Sequence, residues 1–267
     1  MKLIPNSSIA KCWLDACQHL RDAPGNTDTT VVLHVEHPDS MDDQDVEVAR
    51  AVDTFLTTHN KYSNHTVAET IFPGYEYVRR GVKGVYEHYP ATYDAIKALP
   101  EIHRWGTYAH RLLRRVGRDG EKYNPLEDCI SKMKQKKPVR ASYELGFGFE
   151  LATYDDDQDR KRRMGGPCLS HLSFKLIKQK VHLTAIYRSH YYIQRAYGNL
   201  LGLARLQSFV ADQVGGSVGP LVCHSTMAQL DYGSDCSWGK RDVMSLLDKC
   251  LDLMSGDGAA EEEDEDE

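Results

Sequence analysis

The chain has 267 residues, 41% hydrophobic and 27% charged, so it is long enough for one large domain with a substantial core. The formal net charge is −6, and much of it lies in the terminal acidic run EEEDEDE, which leaves the rest of the chain close to neutral. This charge balance gives no reason to expect direct nucleic-acid binding, although a mononucleotide needs only a small basic pocket.

The seven cysteines are scattered, and no CxxC pair or Cys/His zinc spacing occurs, so we expect no metal site. No run of about 18 apolar residues is present, and the first residues lack the apolar core of a secretory signal. These features predict a cytoplasmic protein with no membrane segment. We expect one domain over residues 1–255, followed by a disordered acidic tail over 256–267.

The first half of the chain alternates between helical and strand patterns. Ser7 and Ser8 precede apolar residues at helical spacing up to Leu20, which predicts a capped amphipathic helix. The apolar run at 31–35 is typical of a strand, and apolar residues between 46 and 56 predict a second helix. This alternation indicates a mixed α/β fold.

Glu69 is the single acidic residue in the mostly apolar segment NHTVAETIFP, which ends at Pro73. Two interpretations are open. The carboxylate faces solvent at the end of a helix that stops before the proline, or it has a functional role.

The stretch from 165 to 199 predicts a strand, a turn, a second strand and a helix. Apolar residues alternate with polar ones at 172–176 and again at 181–187, which is typical of a β-hairpin with one face toward a core. Cys168 precedes the first strand, Arg188 and Ser189 end the second, and Asn199 lies in the helix. Pairing the two strands is expected to return Arg188 toward Cys168.

A guanidinium near a thiol favours the thiolate, which is the reactive form of cysteine. Taken without its neighbours, a lone cysteine is more often a small buried apolar residue.

The spacing around Cys168 resembles that of the thymidylate synthase and pyrimidine nucleotide hydroxymethylase family. Cys168 follows a proline, the Arg188-Ser189 pair starts twenty positions later, and Asn199 lies eleven positions after Arg188. The resemblance implies that Cys168 adds to C6 of a pyrimidine nucleotide. It also implies that Arg188 and Ser189 hold the 5′-phosphate, that Asn199 recognises the polar edge of the base, and that Glu69 manages water and proton transfer.

Two looser matches extend this resemblance. In RWGTYAHRL, Tyr108 resembles a catalytic residue of the active-site wall, and Trp105 and Arg111 resemble its neighbours, although aromatic residues more often pack a core. In SKMKQKKPVR, Arg140 or Lys137 resembles the basic residue that reaches the phosphate of a partner subunit, and a solvated basic loop is the alternative. The fold implied is α/β (α+β), a large mixed sheet flanked by helices and a homodimer formed through the sheet.

The sequence departs from the family pattern at three places. Met227 and Gln229 stand where the family has a His and a Tyr that bind the sugar, and His224 replaces them only after a register change. Tyr191 stands where an Asp contacts the folate, and a phenol cannot replace a carboxylate acceptor. The acidic C-terminus replaces the short apolar end that closes over the folate.

Together these features predict a transferase that adds a methyl or hydroxymethyl group to C5 of a pyrimidine nucleoside monophosphate, with a dUMP-like substrate preferred. The resemblance implies 5,10-methylenetetrahydrofolate as the one-carbon donor. The alternative is a nucleotide-binding relative that has lost folate-dependent transfer.

Overall fold

The computed structural model describes residues 1–97, 106–135, 149–154, 159–160, 166–233 and 236–256. Its strands are β1 (Lys2–Asn6), β2 (Thr27–Val35), β3 (Arg115–Val116), β4 (Lys122–Tyr123), β5 (Glu150–Ala152), β6 (Leu169–Ile177), β7 (Lys180–Tyr187), β8 (His190–Tyr191) and β9 (Ser217–Gln229). Its α-helices are α1 (Ile9–Asp22), α2 (Asp43–Thr58), α3 (Asn64–Glu69), α4 (Gly74–Lys83), α5 (Tyr89–Lys97), α6 (Tyr108–Leu113), α7 (Pro125–Met133), α8 (Tyr197–Val214) and α9 (Lys240–Ser255).

A large mixed sheet organises the fold, with seven strands in the described part of the chain. Six of them run in the order β1-β2-β9-β7-β6-β5, and the short β8 also pairs with β9. The β1–β2, β9–β7 and β8–β9 pairs are parallel, whereas β2–β9, β7–β6 and β6–β5 are antiparallel. This is the mixed α/β architecture that the sequence predicts.

The two faces of the sheet differ in burial because side chains alternate along each strand. On one face, Leu33, Cys223, Ala185 and Leu172 stand side by side across four strands and are fully buried beneath α1 and α8. The residues that alternate with them are half-buried, and they include Val32, His34, Thr184, Ile186, Val222 and His224.

The predicted β-hairpin is confirmed, with β6 antiparallel to β7 from the Leu169–Tyr187 pair to the Ile177–Lys180 pair. Lys178 and Gln179 form its two-residue turn, with φ values of 49° and 63°. Left-handed conformations at both central positions give a turn whose twist matches that of the strands, although Asn and Gly are the usual residues there.

Side-chain caps start both of the first two helices, and the first of these caps is predicted by the sequence. The Ser8 hydroxyl accepts the Lys11 N–H at the start of α1, as the sequence predicts. At the start of α2, Asp42 and Asp45 form a reciprocal capping box. The Ser8 hydroxyl also donates to the buried Asp45 carboxylate at 2.7 Å, which joins the two helix starts.

Helix α3 packs closely against α8 at two glycines of α8, where a larger residue would not fit. A Cβ added to Gly198 would lie 2.6 Å from the Val67 Cβ, and one added to Gly202 would lie 2.8 Å from the Ala68 carbonyl oxygen. Two glycines four residues apart therefore allow the backbones of α3 and α8 to approach closely. This contact places Glu69, the last residue of α3, beside α8.

The strand at 31–35, the first two helices and the helix that carries Asn199 are confirmed, and the last of these ends at Gly215 with a left-handed φ of 69°. Strand β1 was not predicted from the sequence pattern. The predicted site residues Trp105, Lys137 and Arg140 lie outside the described residues, as does the acidic tail beyond residue 256.

Candidate active site

The hairpin brings Cys168 and Arg188 together. Leu169 pairs with Tyr187, and one residue further on each strand the Arg188 N–H donates to the Cys168 carbonyl oxygen at 2.9 Å. Cys168 is half-buried, lies directly before β6 at the open end of the hairpin, and packs against the border of the hydrophobic core. The pairing predicted from the strand pattern is present.

The Arg188 side chain holds the segment that precedes the thiol. Its Nε donates to the Pro167 carbonyl oxygen and its Nη2 donates to the Gly166 carbonyl oxygen, both at 3.0 Å. The Thr226 hydroxyl donates to the Arg188 carbonyl oxygen at 3.0 Å, which ties this point to β9. The side chain is exposed, and a guanidinium has five N–H donors, so donors remain for a ligand.

Tyr108 contacts the backbone of the same segment. Its hydroxyl accepts the N–H groups of Cys168 at 3.0 Å and of Leu169 at 3.2 Å. Burial, and to a lesser degree the nearby Cys168, raise the pKa of the Tyr108 hydroxyl above its usual value. The phenol is therefore a neutral group that positions the thiol-bearing backbone.

Arg111 lies one turn after Tyr108 and is buried in an ion pair. Its guanidinium donates to both carboxylate oxygens of Asp159, at 2.6 and 2.9 Å, and to the Thr153 carbonyl oxygen at 2.8 Å. This bidentate pair anchors α6 and with it Tyr108.

Asn199 is buried near the start of α8, and its amide joins a chain of polar side chains. The Asn199 Nδ2 lies 3.0 Å from the His190 Nε2, and the His190 Nδ1 lies 2.9 Å from the Ser225 hydroxyl oxygen. The Tyr192 hydroxyl lies 3.2 Å from the same serine oxygen. His190 immediately follows Ser189 and was not among the predicted site residues.

His190 is enclosed by aromatic rings. It stacks on Tyr187 with ring centroids 4.1 Å apart and an interplanar angle of 4°, and Tyr192 lies against it at 5.4 Å. Burial lowers the pKa of His190 to about 3, so its imidazole is neutral at physiological pH.

The Glu69 carboxylate is held by residues other than those of this network. It accepts from Arg205 Nη1 at 3.2 Å and from the Tyr75 N–H at 3.2 and 3.3 Å, and His65 lies 3.7 Å away. Within the described residues, none of its hydrogen bonds or ion pairs reaches Cys168. The backbone does link the two regions, because the Thr70 carbonyl oxygen accepts the Ala109 N–H at 2.8 Å. Thr70 directly follows Glu69, and Ala109 directly follows Tyr108.

Two further charged residues lie close to the predicted site. Arg195 is half-buried in the wide helical turn Tyr192–Ala196, within electrostatic range of Tyr108 and Asp231. Its guanidinium makes no hydrogen bond or ion pair with any described residue. Arg195 precedes Asn199 by four positions, and this helical spacing is the signal that could have identified it.

Asp231 holds the start of that turn by accepting the Ile193 N–H at 2.8 Å and the Gln194 N–H at 3.2 Å. Burial raises the pKa of Asp231 to about 6, and the two backbone donors and Arg195 oppose this rise.

The positions that depart from the family pattern lie together at the ends of β8 and β9. Tyr191 is paired with Gln229 in this part of the sheet and is 45% exposed, and Met227 is 42% exposed. His224 alternates with Ser225 along β9 and therefore belongs to the half-buried face, away from His190 and Asn199.

In the parts of the chain that the structure describes, no three His, Cys, Asp or Glu side chains are grouped as metal ligands. The helices of these parts are also too short or too polar to cross a membrane.

Three curated archaeal relatives share the name "Putative thymidylate synthase". The chain is 31% identical to the Methanococcoides burtonii protein over 134 residues, which cover 50% of this chain and 55% of that protein. It is 24% identical to the Methanocaldococcus jannaschii protein over 197 residues, or 71% and 84% of the two chains. It is 28% identical to the Methanothermobacter marburgensis protein over 124 residues, or 46% and 50%. No protein-family model matches the chain.

The matched segment thus spans about half the length of two of these relatives and most of the third. The fold and the site define a mixed α/β protein in which a half-buried cysteine and an arginine meet at the open end of a β-hairpin. These similarities support the resemblance to the thymidylate synthase family that the spacing around Cys168 implies.

Proposed function

We propose that this protein is a transferase that adds a one-carbon unit to C5 of a pyrimidine nucleoside monophosphate. The observation that carries the proposal is the direct connection between Cys168 and Arg188, through one backbone hydrogen bond and the two guanidinium contacts to Pro167 and Gly166. In the proposed complex Arg188 holds the phosphate and Cys168 faces the base, so that the nucleophile and its target carbon are held near each other.

In the proposed reaction the Cys168 thiolate forms a bond to C6, and the electron pair of the C5–C6 double bond moves toward the C4 carbonyl oxygen. C5 becomes nucleophilic and would form a bond to the one-carbon unit as the bond between that unit and its donor breaks, and a proton on C5 then leaves. A hydroxymethyl product would also require addition of water, and a methyl product would require a hydride, which the donor would supply. Loss of that proton and reversal of the thiol addition restore the double bond and release Cys168.

Arg188 and Ser189 are the proposed phosphate contacts. Arg188 is exposed and keeps N–H donors beyond the two that it gives to Gly166 and Pro167, and Ser189 follows it at the bend between β7 and β8. A planar guanidinium suits bidentate contact with phosphate oxygens. Arg140, outside the described residues, is the proposed contact to the phosphate of a partner subunit.

Asn199 is the proposed contact to the base, and Tyr108 and Glu69 are the proposed proton-handling residues. Tyr108 is supported by its two contacts to the backbone at Cys168 and Leu169. For Glu69 to act, a water chain must connect it to the base, because its carboxylate is held by Arg205.

The resemblance implies that 5,10-methylenetetrahydrofolate supplies the one-carbon unit. Tyr191, exposed at the end of β8, does not fit the role of a carboxylate that accepts from the pterin. No step is therefore assigned to residues around the donor. The second candidate function, favoured by this same residue, is a nucleotide-binding protein without folate-dependent transfer.

We also propose a homodimer through the half-buried face of the sheet. Val32, Val222 and Ile186 on this face are only partly covered within one chain. Apolar side chains across the central strands of a sheet are stabilised when a second layer covers them. The cytoplasmic location predicted from the cysteine pattern stays a prediction.

Tritium release tests the proposed function. Purified protein is incubated with uracil and cytosine nucleoside monophosphates labelled at C5, in ribose and deoxyribose forms, with and without methylenetetrahydrofolate. Release of tritium with the donor, together with a product altered at C5, supports the transferase. Binding of nucleotide without any release under either condition supports the nucleotide-binding protein.

A further inference from the structure

The contacts of Asn199 suggest how its amide is held. Its Nδ2 faces the His190 Nε2, and no described residue donates to its Oδ1. An amide can rotate by half a turn and exchange its donor and acceptor, so its value for recognition depends on a neighbour that fixes it.

The identity of the facing atoms determines the proton arrangement of His190. An amide nitrogen only donates, so the His190 Nε2 must accept, and in a neutral imidazole the hydrogen then lies on Nδ1. That hydrogen points to the Ser225 hydroxyl oxygen at 2.9 Å. In this arrangement the Ser225 hydroxyl accepts from the His190 Nδ1–H, and the His190 Nε2 accepts from the Asn199 amide nitrogen and so favours that orientation of the amide.

We propose that His190 is a positioning residue that fixes the Asn199 amide with Oδ1 toward the ligand, and so makes the site prefer uracil over cytosine. The inference rests on the proposed function, because it specifies which substrate that site accepts. It goes further by assigning base selection to a residue outside the motif of Cys168, Arg188, Ser189 and Asn199.

The chemistry of the two bases explains the selection. Uracil presents a donor at N3, which the Asn199 Oδ1 accepts, whereas cytosine presents an acceptor at N3 and a donor at N4. A fixed amide meets cytosine with acceptor against acceptor. A freely rotating amide would satisfy either base.

The surroundings of His190 keep this arrangement rigid. The imidazole is 2% exposed and lies flat on Tyr187, and Asn199 is 6% exposed. Because burial lowers its pKa to about 3, His190 keeps an acceptor lone pair throughout the physiological pH range.

Competition binding of the uracil and cytosine deoxynucleoside monophosphates tests the proposal in wild type, His190→Phe and Ser225→Ala. Phenylalanine keeps a flat ring on Tyr187 but has no acceptor for Asn199. We expect wild type to prefer uracil. In His190→Phe, the ratio of uracil to cytosine affinity is expected to fall by about fivefold to tenfold, which corresponds to the loss of one hydrogen bond. Ser225→Ala, which frees the His190 tautomer, is expected to lose a smaller part.

The matched control is His59→Phe, because His59 also combines a ring contact, to Phe55, with a hydrogen bond to a carbonyl oxygen. It lies at the end of α2 and is expected to leave the preference unchanged. A uracil preference that survives in His190→Phe would overturn this inference and leave the proposed function standing. Failure of wild type to bind either nucleotide would overturn both.

Nitrogen-15 NMR of the wild-type imidazole gives a test that needs no substitution. We expect a protonated Nδ1 and an unprotonated Nε2 for His190. The opposite tautomer, with Nε2–H donating to the Asn199 Oδ1, would turn the amide around and overturn the proposal, as would a wild-type preference for cytosine.

Discussion

The main-chain N–H of Arg188 donates to the carbonyl oxygen of Cys168 at 2.9 Å, and the Arg188 side chain holds the two residues that precede the cysteine. The candidate nucleophile and the candidate phosphate contact are therefore parts of one hydrogen-bonded unit. A change at either residue is expected to affect the other.

Replacing Cys168 with Ala is expected to abolish tritium release from C5, because no other group is proposed to add to C6. The measurement is release from the labelled nucleotide that wild type uses best, with circular dichroism to verify folding. Cys236→Ser, at another half-buried cysteine, is the control and should keep its activity. Full release by Cys168→Ala would contradict the mechanism.

Arg188 offers a test that separates binding from positioning. Arg188→Ala is expected to weaken binding of the monophosphate by roughly tenfold to a hundredfold more than binding of the nucleoside, since a charge-assisted bond is lost. Arg188→Lys keeps the charge but cannot reproduce both carbonyl contacts, so it should retain more phosphate binding than activity. Calorimetric titration with the two ligands measures the first effect.

The exposed Arg50 on α2 provides the control, and Arg50→Ala should alter neither ligand's affinity. Equal losses of monophosphate and nucleoside binding in Arg188→Ala would indicate that Arg188 acts only by holding the Cys168 segment.

The sequence predicts this unit because its determinants are local. Alternation at 172–176 and 181–187 sets the hairpin register, and a hairpin fixes which residues meet at its open end. Other parts depend on contacts distant in the chain. Strand β1 is five residues long and pairs in parallel with β2, and so short a segment has no distinct pattern of its own.

The contacts of Glu69 also could not be predicted from the sequence. Its position at the end of a short helix was open to either interpretation, and its ion pair is with Arg205, 136 positions away. No sequence pattern near Glu69 indicates that its partner is Arg205. His190 is an intermediate case, because its spacing of nine residues from Asn199 is local, but the turn that joins them is a wide one with no simple sequence signature.

The close contact between α3 and α8 predicts the effect of a single added methyl group. Gly198→Ala would place a Cβ 2.6 Å from the Val67 side chain and 2.8 Å from the Asn64 carbonyl oxygen, so the helices must move apart. We expect a loss of about 1 to 3 kcal/mol in the free energy of unfolding, measured with urea. Gly239→Ala, whose Cβ meets only Asp242 at 3.6 Å, is the control. A loss no larger than that of the control would show that the helix contact adapts.

Asp231 predicts a pH dependence of stability. Its folded pKa of about 6 exceeds the ordinary value of 3.8, so the folded state binds the proton more tightly than the unfolded chain. The resulting stability is fully present below about pH 4 and is lost as the pH rises through 6, an effect of about 2 to 3 kcal/mol. Asp231→Asn is expected to remove this slope, as measured by urea unfolding between pH 4 and 8.

Asp22→Asn, at a carboxylate that is 75% exposed, is the control and should follow the wild-type pH profile. A profile of Asp231→Asn that is parallel to wild type across this range would show that Asp231 is not the group responsible.

Asn199→Asp is expected to shift base preference toward cytosine. A carboxylate only accepts, so it favours the N4 donor of cytosine and repels the O4 acceptor of uracil. It also removes the N–H that His190 Nε2 accepts at 3.0 Å, so His190 must take up a proton or change tautomer to restore the contact. We expect a change of about 1 to 3 kcal/mol in the binding difference, measured by competition between the two monophosphates. A ratio unchanged from wild type would show that Asn199 does not contact the base.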